Sequence, residues 1–104
     1  MYFVYLIRCR GDTLYAGITT DLPRRMRQHR GELPGGAKFT RAHPPFALEA
    51  VWCAEDRSAA SKLEAQLKRR SHAEKQALIA HPEQLADYVP LDAAALAAAW
   101  ASTT

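Results

Sequence analysis

A chain of 104 residues, 48% hydrophobic and 9% aromatic, has apolar material for one small core and is not disordered along its length. Fourteen Lys and Arg against eleven Asp and Glu leave a net charge of +3, but the basic residues are clustered: Arg24, Arg25, Arg27 and Arg30 in one stretch, Lys62, Lys68, Arg69, Arg70 and Lys75 in another. Clustered positive charge suits a polyanion, although arginine clusters taken alone are more often solvated helix faces.

Cys9 and Cys53 both lie in apolar runs. They are too few for a disulfide framework and too far apart for a zinc-binding pair, so they read as free thiols in a reducing compartment. No stretch approaches a membrane span, and residues 1–7 lack the basic start and the length of a secretion signal. The expectation is a cytoplasmic protein with no membrane partner.

Residues 2–9 and 13–19 are rich in aromatic and β-branched side chains, with Gly11-Asp12 between them, and predict a hairpin. Alternation puts Phe3, Tyr5, Ile7 and Cys9 on one face of the first strand, and Thr13, Tyr15, Gly17 and Thr19 on one face of the second. A three-residue loop, Arg10-Gly11-Asp12, pairs Cys9 with Thr13 and Tyr5 with Gly17. Both tyrosines then project from the same side, with a glycine leaving room beside Tyr5. A two-residue loop would set them on opposite faces.

Thr20 or Asp21 can cap a helix that holds Pro23 in its first turn, runs to about Arg30 and stops at Gly31. Leu22, Arg25, Met26 and His29 share its inward face, where an arginine and a histidine interrupt an apolar stripe. Residues 31–45, punctuated by Gly and Pro and carrying Lys38, Arg41 and His43, predict a loop long enough to suggest function. Residues 46–54 read as a third strand. Asp56 or Ser58 then caps a helix to about Arg70, with Ala60, Leu63, Glu64 and Leu67 facing inward. A shorter helix over residues 73–80 ends at His81-Pro82, and the alanine-rich residues 91–101 predict a terminal helix.

The chemistry-bearing residues each have two readings. Glu64 is either the partner of Lys68 one turn on, worth tenths of a kcal/mol if exposed, or an oxygen ligand for Mg²⁺ or Mn²⁺. Arg25 and His29 are either a snorkelling cation and a core histidine, or a phosphate grip and a proton carrier. Tyr5 and Tyr15 are either plain sheet aromatics or phenols that help to deprotonate water.

Taken together, Phe3-Val4-Tyr5, Tyr15-Ala16-Gly17, Arg25, His29 and Glu64 resemble the GIY-YIG nuclease family. The likeness runs from Tyr2 to about Ile79 and is nearest the small stand-alone bacterial members, which share the stretch resembling Gly36-Ala37-Lys38-Phe39-Thr40-Arg41. It implies an α/β fold, a small three-stranded antiparallel sheet flanked by helices, over residues 1–80, with a helical C-terminal extension over 81–104. It also implies hydrolysis of DNA phosphodiester bonds with one weakly bound Mg²⁺ or Mn²⁺. By matching position the catalytic residues are Tyr5, Tyr15, Arg25, His29 and Glu64, with Glu64 the metal ligand. Nucleic-acid contacts are expected from Arg24, Arg27, Arg30, Lys38, Thr40 and Arg41. Ile18 stands where the excision-repair members have a lysine, and the chain contains no asparagine, which homing-type members use late in the domain. Without a separate recognition domain, the expected substrate is duplex, single-stranded or branched DNA with little sequence preference. A binding module of the same fold with little catalysis is the alternative.

Overall fold

A computed structural model describes residues 1–101. β1 (Tyr2–Cys9) and β2 (Thr13–Thr19) form the hairpin in the three-residue register, Cys9 opposite Thr13, Ile7 opposite Tyr15 and Tyr5 opposite Gly17. Its loop turns through Gly11 at φ 84° and Asp12 at φ 60°, left-handed positions that glycine and aspartate tolerate best. β1 is central, with β3 (Pro45–Ala54) antiparallel on its other side. Register shifts at Leu6/Ile7 and Arg8/Cys9 leave Glu49 and Phe46 without partners on β1.

The sheet has four strands, not three. β4 (Val89–Pro90) pairs with Cys53 and Trp52 of β3, giving the order β2-β1-β3-β4. Two residues are too short to carry a period, and an edge strand of this kind tolerates a proline. Leu91 continues the contact by donating its N–H to the Val51 carbonyl at 2.9 Å.

Helices cover both faces. Val4, Leu6, Ala16, Trp52 and Ala54 pack against Ala60, Leu63 and Leu67 of α3 (Arg57–Arg69) and, in the same core, Leu78 of α4 (His72–Ala80). Asp56 caps α3 and Ser71 caps α4, the latter in a reciprocal box with Glu74. On the opposite face Tyr5, Ile7, Cys9 and Val51 meet Leu22 and Met26 of α1 (Leu22–His29) and Ala99 of α5 (Ala93–Ala101). Asp21 caps α1 by accepting the Arg24 N–H.

Two further features depart from the sequence reading. The segment 31–45 is not all loop: it holds a five-residue helix, α2 (Lys38–Ala42), which has no side-chain cap to announce it. The last turn of α1 is also tied to the end of the chain. The Arg30 guanidinium sits 4.7 Å from the centroid of the Trp100 ring and donates to the Trp100 carbonyl at 2.6 Å. Residues 102–104 of the expected C-terminal extension lie outside the described residues. Among the described residues no helix is long and apolar enough to cross a membrane.

Candidate active site

The site lies on the sheet face that carries Tyr5 and Tyr15. Because Gly17 has no side chain, the Tyr5 ring can lie over it; a Cβ there would fall 2.3 Å from the tyrosine oxygen. α1 delivers His29 between the two phenols. Its ring meets Tyr5 and Tyr15 edge-on, with centroids 5.6 and 5.5 Å away.

Hydrogen bonding gives this cluster a direction. Tyr5 Oη is 2.6 Å from His29 Nε2, His29 Nδ1 is 3.0 Å from Thr40 Oγ1, and Thr40 Oγ1 donates to the Ala37 carbonyl at 2.9 Å. The carbonyl can only accept, so it takes the one proton of the Thr40 hydroxyl, and the Thr40 oxygen accepts from His29 Nδ1–H. This network assigns the tautomer: Nε2 is bare and accepts from Tyr5 O–H. Burial explains why both groups stay neutral. It pushes the Tyr5 phenol up to about 12 and the His29 imidazole down to about 4, with the Arg25 charge opposing the first shift and adding to the second.

Arg25 is held on several sides. Its Nε–H points at Tyr5 Oη at 3.4 Å, and Nη1 donates to Gln28 Oε1 and the Gly35 carbonyl, each at 2.9 Å. Gln28 in turn donates to the Pro34 carbonyl at 3.2 Å, and a Cβ on Gly36 would meet the Gln28 carbonyl oxygen at 2.5 Å. The Gly35-Gly36 pair therefore lets the loop close against α1 and pre-set the guanidinium. Nη2 has no protein partner among the described residues. The sequence reading missed Gln28, although its place three residues after Arg25 on one helix was the available signal.

Glu64 differs from expectation. The buried stripe of α3 is Ala60, Leu63 and Leu67, and Glu64 stands at its rim with a side chain 24% exposed and Lys68 Nζ at 3.5 Å. Its charge still reaches Tyr5, where it helps to raise the phenol pKa. Among the described residues no group of three or more His, Cys, Asp or Glu side chains could hold a metal ion. A single partly exposed carboxylate fits a hard cation that keeps most of its waters and takes phosphate oxygens, as Mg²⁺ and Mn²⁺ do.

The six residues expected to contact nucleic acid divide. Arg24, Lys38 and Arg41 are exposed. Thr40 is 2% exposed, and its hydroxyl is committed to Ala37 and His29, so it positions the histidine instead of meeting a phosphate. Arg27 lies 3.5 Å from Glu32, and Arg30 bonds Glu32 at 2.6 Å as well as Trp100. Both arginines face their own chain.

Residues 1–77 match the GIY-YIG catalytic domain, and the chain belongs to that family, whose domain is nuclease-like. More narrowly, it is similar to small UPF0213 proteins. It is 48% identical over 82 residues to one from Vibrio cholerae, covering 76% of this chain and 77% of that protein. It is 44% identical over 94 residues to one from Xanthomonas axonopodis pv. citri, covering 88% and 89%. The solution NMR structure of a UPF0213 protein from Bacillus halodurans is similar with a TM-score of 0.49 and 34% identity, over 77% of this chain and 84% of that one.

Proposed function

We propose that this protein is a divalent-metal-dependent endonuclease that hydrolyses DNA phosphodiester bonds with little sequence preference, acting in the cytoplasm in DNA processing or repair. The observation that carries this reading is the one-way hydrogen-bond chain from Arg25 through Tyr5, His29 and Thr40 to the Ala37 carbonyl.

Tyr5 Oη donates to His29 and accepts weakly from Arg25, which leaves one lone pair for a water. As that water attacks phosphorus, its proton passes to Tyr5 Oη and the tyrosine proton passes to His29 Nε2. A P–O bond forms, the scissile P–O bond breaks, and the departing oxygen takes a proton from solvent. His29, held near 4, keeps its nitrogen bare at neutral pH. Negative charge building on the phosphate raises its affinity for the proton as the reaction proceeds. Tyr5 is 1% exposed, and phosphate and water would reach its hydroxyl from the Arg25 side, within range of the Glu64 charge. Arg25 Nη2 then meets the charge of the five-coordinate phosphorus. Glu64 would hold Mg²⁺ or Mn²⁺, which when bound supplies Lewis-acid polarisation of the scissile phosphate.

The test is a panel of labelled single-stranded, duplex and branched DNAs with Mg²⁺, Mn²⁺ or EDTA, with Glu64→Gln as the contamination control. Metal-dependent cleavage that falls roughly ten- to a thousandfold in Glu64→Gln and in Arg25→Ala is expected, as for lost transition-state stabilisation. Cleavage by Glu64→Gln at the parental rate would sink the mechanism. Binding without cleavage would leave a nucleic-acid-binding module of the same fold.

A further inference from the structure

Beside the proposed site the rings form a column. Tyr15 stacks on Phe39 with centroids 5.4 Å apart and planes 14° from parallel, and Phe39 stacks on His43 at 4.4 Å and 13°. The column begins at the tyrosine that meets His29 edge-on and continues along α2 to its C-cap residue, all three rings being half-buried. His43 Nδ1 lies 3.3 Å from the Phe39 carbonyl, which fixes the outer ring parallel to its neighbour. Among the described residues no further ring stacks on His43. The same five-residue helix carries Lys38 and Arg41, both exposed.

We infer that this column is a stacking platform for an unpaired DNA base, and that the protein selects single-stranded or flapped strands. Aromatic faces beside exposed cations are how proteins hold single strands without reading their sequence: cations follow the backbone and each base lays its π-face on a ring. A paired base in a duplex already has both faces covered by its neighbours, so it cannot extend the column. Phe39 and Tyr15 also pack against the core containing Tyr5 and Met26, which makes the platform rigid. A base seated on His43 places its own backbone beside Lys38 and Arg41. The following phosphates then run toward Tyr15 and the Arg25 side. This rests on the nuclease reading for what happens to the strand, but the stacking itself does not depend on cleavage.

The experiment uses Glu64→Gln protein in EDTA, so that cleavage does not consume the strand, and titrates it with an aminopurine-bearing single strand and with the duplex of the same sequence. Quenched fluorescence and tighter binding of the single strand are expected. His43→Ala in that background should weaken single-strand binding roughly tenfold, the loss of one stacked base, while leaving duplex affinity and melting temperature in place. If His43→Ala lowers the melting temperature, His43→Phe keeps a ring in the column and should restore the single-strand preference. No change in either affinity, or an equal loss for single strand and duplex, overturns the platform. Wild-type protein that binds single strands through His43 yet shows no metal-dependent cleavage removes the nuclease reading and leaves the platform standing. Cleavage indifferent to His43, with no single-strand preference, does the reverse.

Discussion

Tyr5 and Gly17 face each other across the β1–β2 ladder, and the phenol occupies the space a side chain at 17 would fill, 2.3 Å from where a Cβ would sit. The glycine is therefore set by its neighbour's hydroxyl. Gly17→Ala should push that hydroxyl off His29 Nε2. The expected result is a loss of cleavage of roughly tenfold or more, with overpacking lowering stability by about 1–3 kcal/mol. A Gly17→Ala protein with parental activity and melting temperature would show that Tyr5 has slack the structure does not suggest.

The two tyrosines should separate on mutation. Tyr5→Phe strips the donor from a buried histidine nitrogen and should cost about 1–3 kcal/mol of stability along with activity. Tyr15 contributes its ring to stacking on Phe39 and to His29, and both contacts survive in Tyr15→Phe. That variant should melt with the parent. Chemical denaturation of both, with cleavage rates on the same preparations, checks the contrast.

Much of this geometry was legible because it is local. Alternation within seven- and eight-residue strands and the Arg10-Gly11-Asp12 loop fix which face Tyr5 and Tyr15 share, and a helical repeat puts Met26 and His29 on one stripe. What the sequence hid depends on contacts between distant segments. Thr40 reads as a polar residue in a basic loop, and only the packing of α2 against α1 turns it toward His29. Arg30 reads as one more cation in a cluster, since its partner Trp100 lies 70 residues away. Glu64 falls at helical spacing with Leu63 and Leu67, but 3.6-residue periodicity cannot tell the centre of a stripe from its rim.

Thr40 gives a sharper test of the tautomer. Thr40→Ser keeps an oxygen beside His29 Nδ1 and should retain activity. Thr40→Val keeps the shape but leaves the Nδ1–H without an acceptor, costing about 1–3 kcal/mol and freeing the ring to take the wrong tautomer. Affinity for DNA should be the same in both, because the hydroxyl never faced the strand. A Thr40→Val protein that cleaves normally but binds DNA poorly would return Thr40 to the contact surface.

Acid should destabilise the fold through His29. Its pKa is about 4 when folded against 6.5 for the free side chain, so between these values the unfolded chain binds a proton that the folded one excludes. Stability is then fully present above about 6.5 and declines as the pH falls toward 4. Glu32, held below the usual carboxylate range by Arg30, and Glu74, held there by the Ser71 backbone, lose their contributions only below about 4.5. Urea midpoints measured through the window should slope upward with pH, and His29→Gln should flatten that slope.

The basic residues of α1 and α2 should prove functionally divided. Arg24, Lys38 and Arg41 are exposed, whereas Arg27 turns to Glu32 and Arg30 to Glu32 and Trp100. Each phosphate neutralised contributes about −0.7 on a single strand to the slope of log affinity against log salt, so three contacts give a slope near −2. Arg24→Gln, Lys38→Gln or Arg41→Gln should each make that slope shallower by about 0.7 and leave the melting temperature alone. Arg30→Gln should do the opposite, because it cuts the tie between α1 and α5. The expected loss is about 2–4 kcal/mol, the sum of a cation–π contact and a charged hydrogen bond, with the salt slope unchanged. Trp100→Ala should also lower stability, but through the lost ring alone, since the backbone carbonyl that accepts from Arg30 remains. If Arg30→Gln instead flattens the salt slope without lowering the melting temperature, the arginine serves the strand and the α5 tie is incidental.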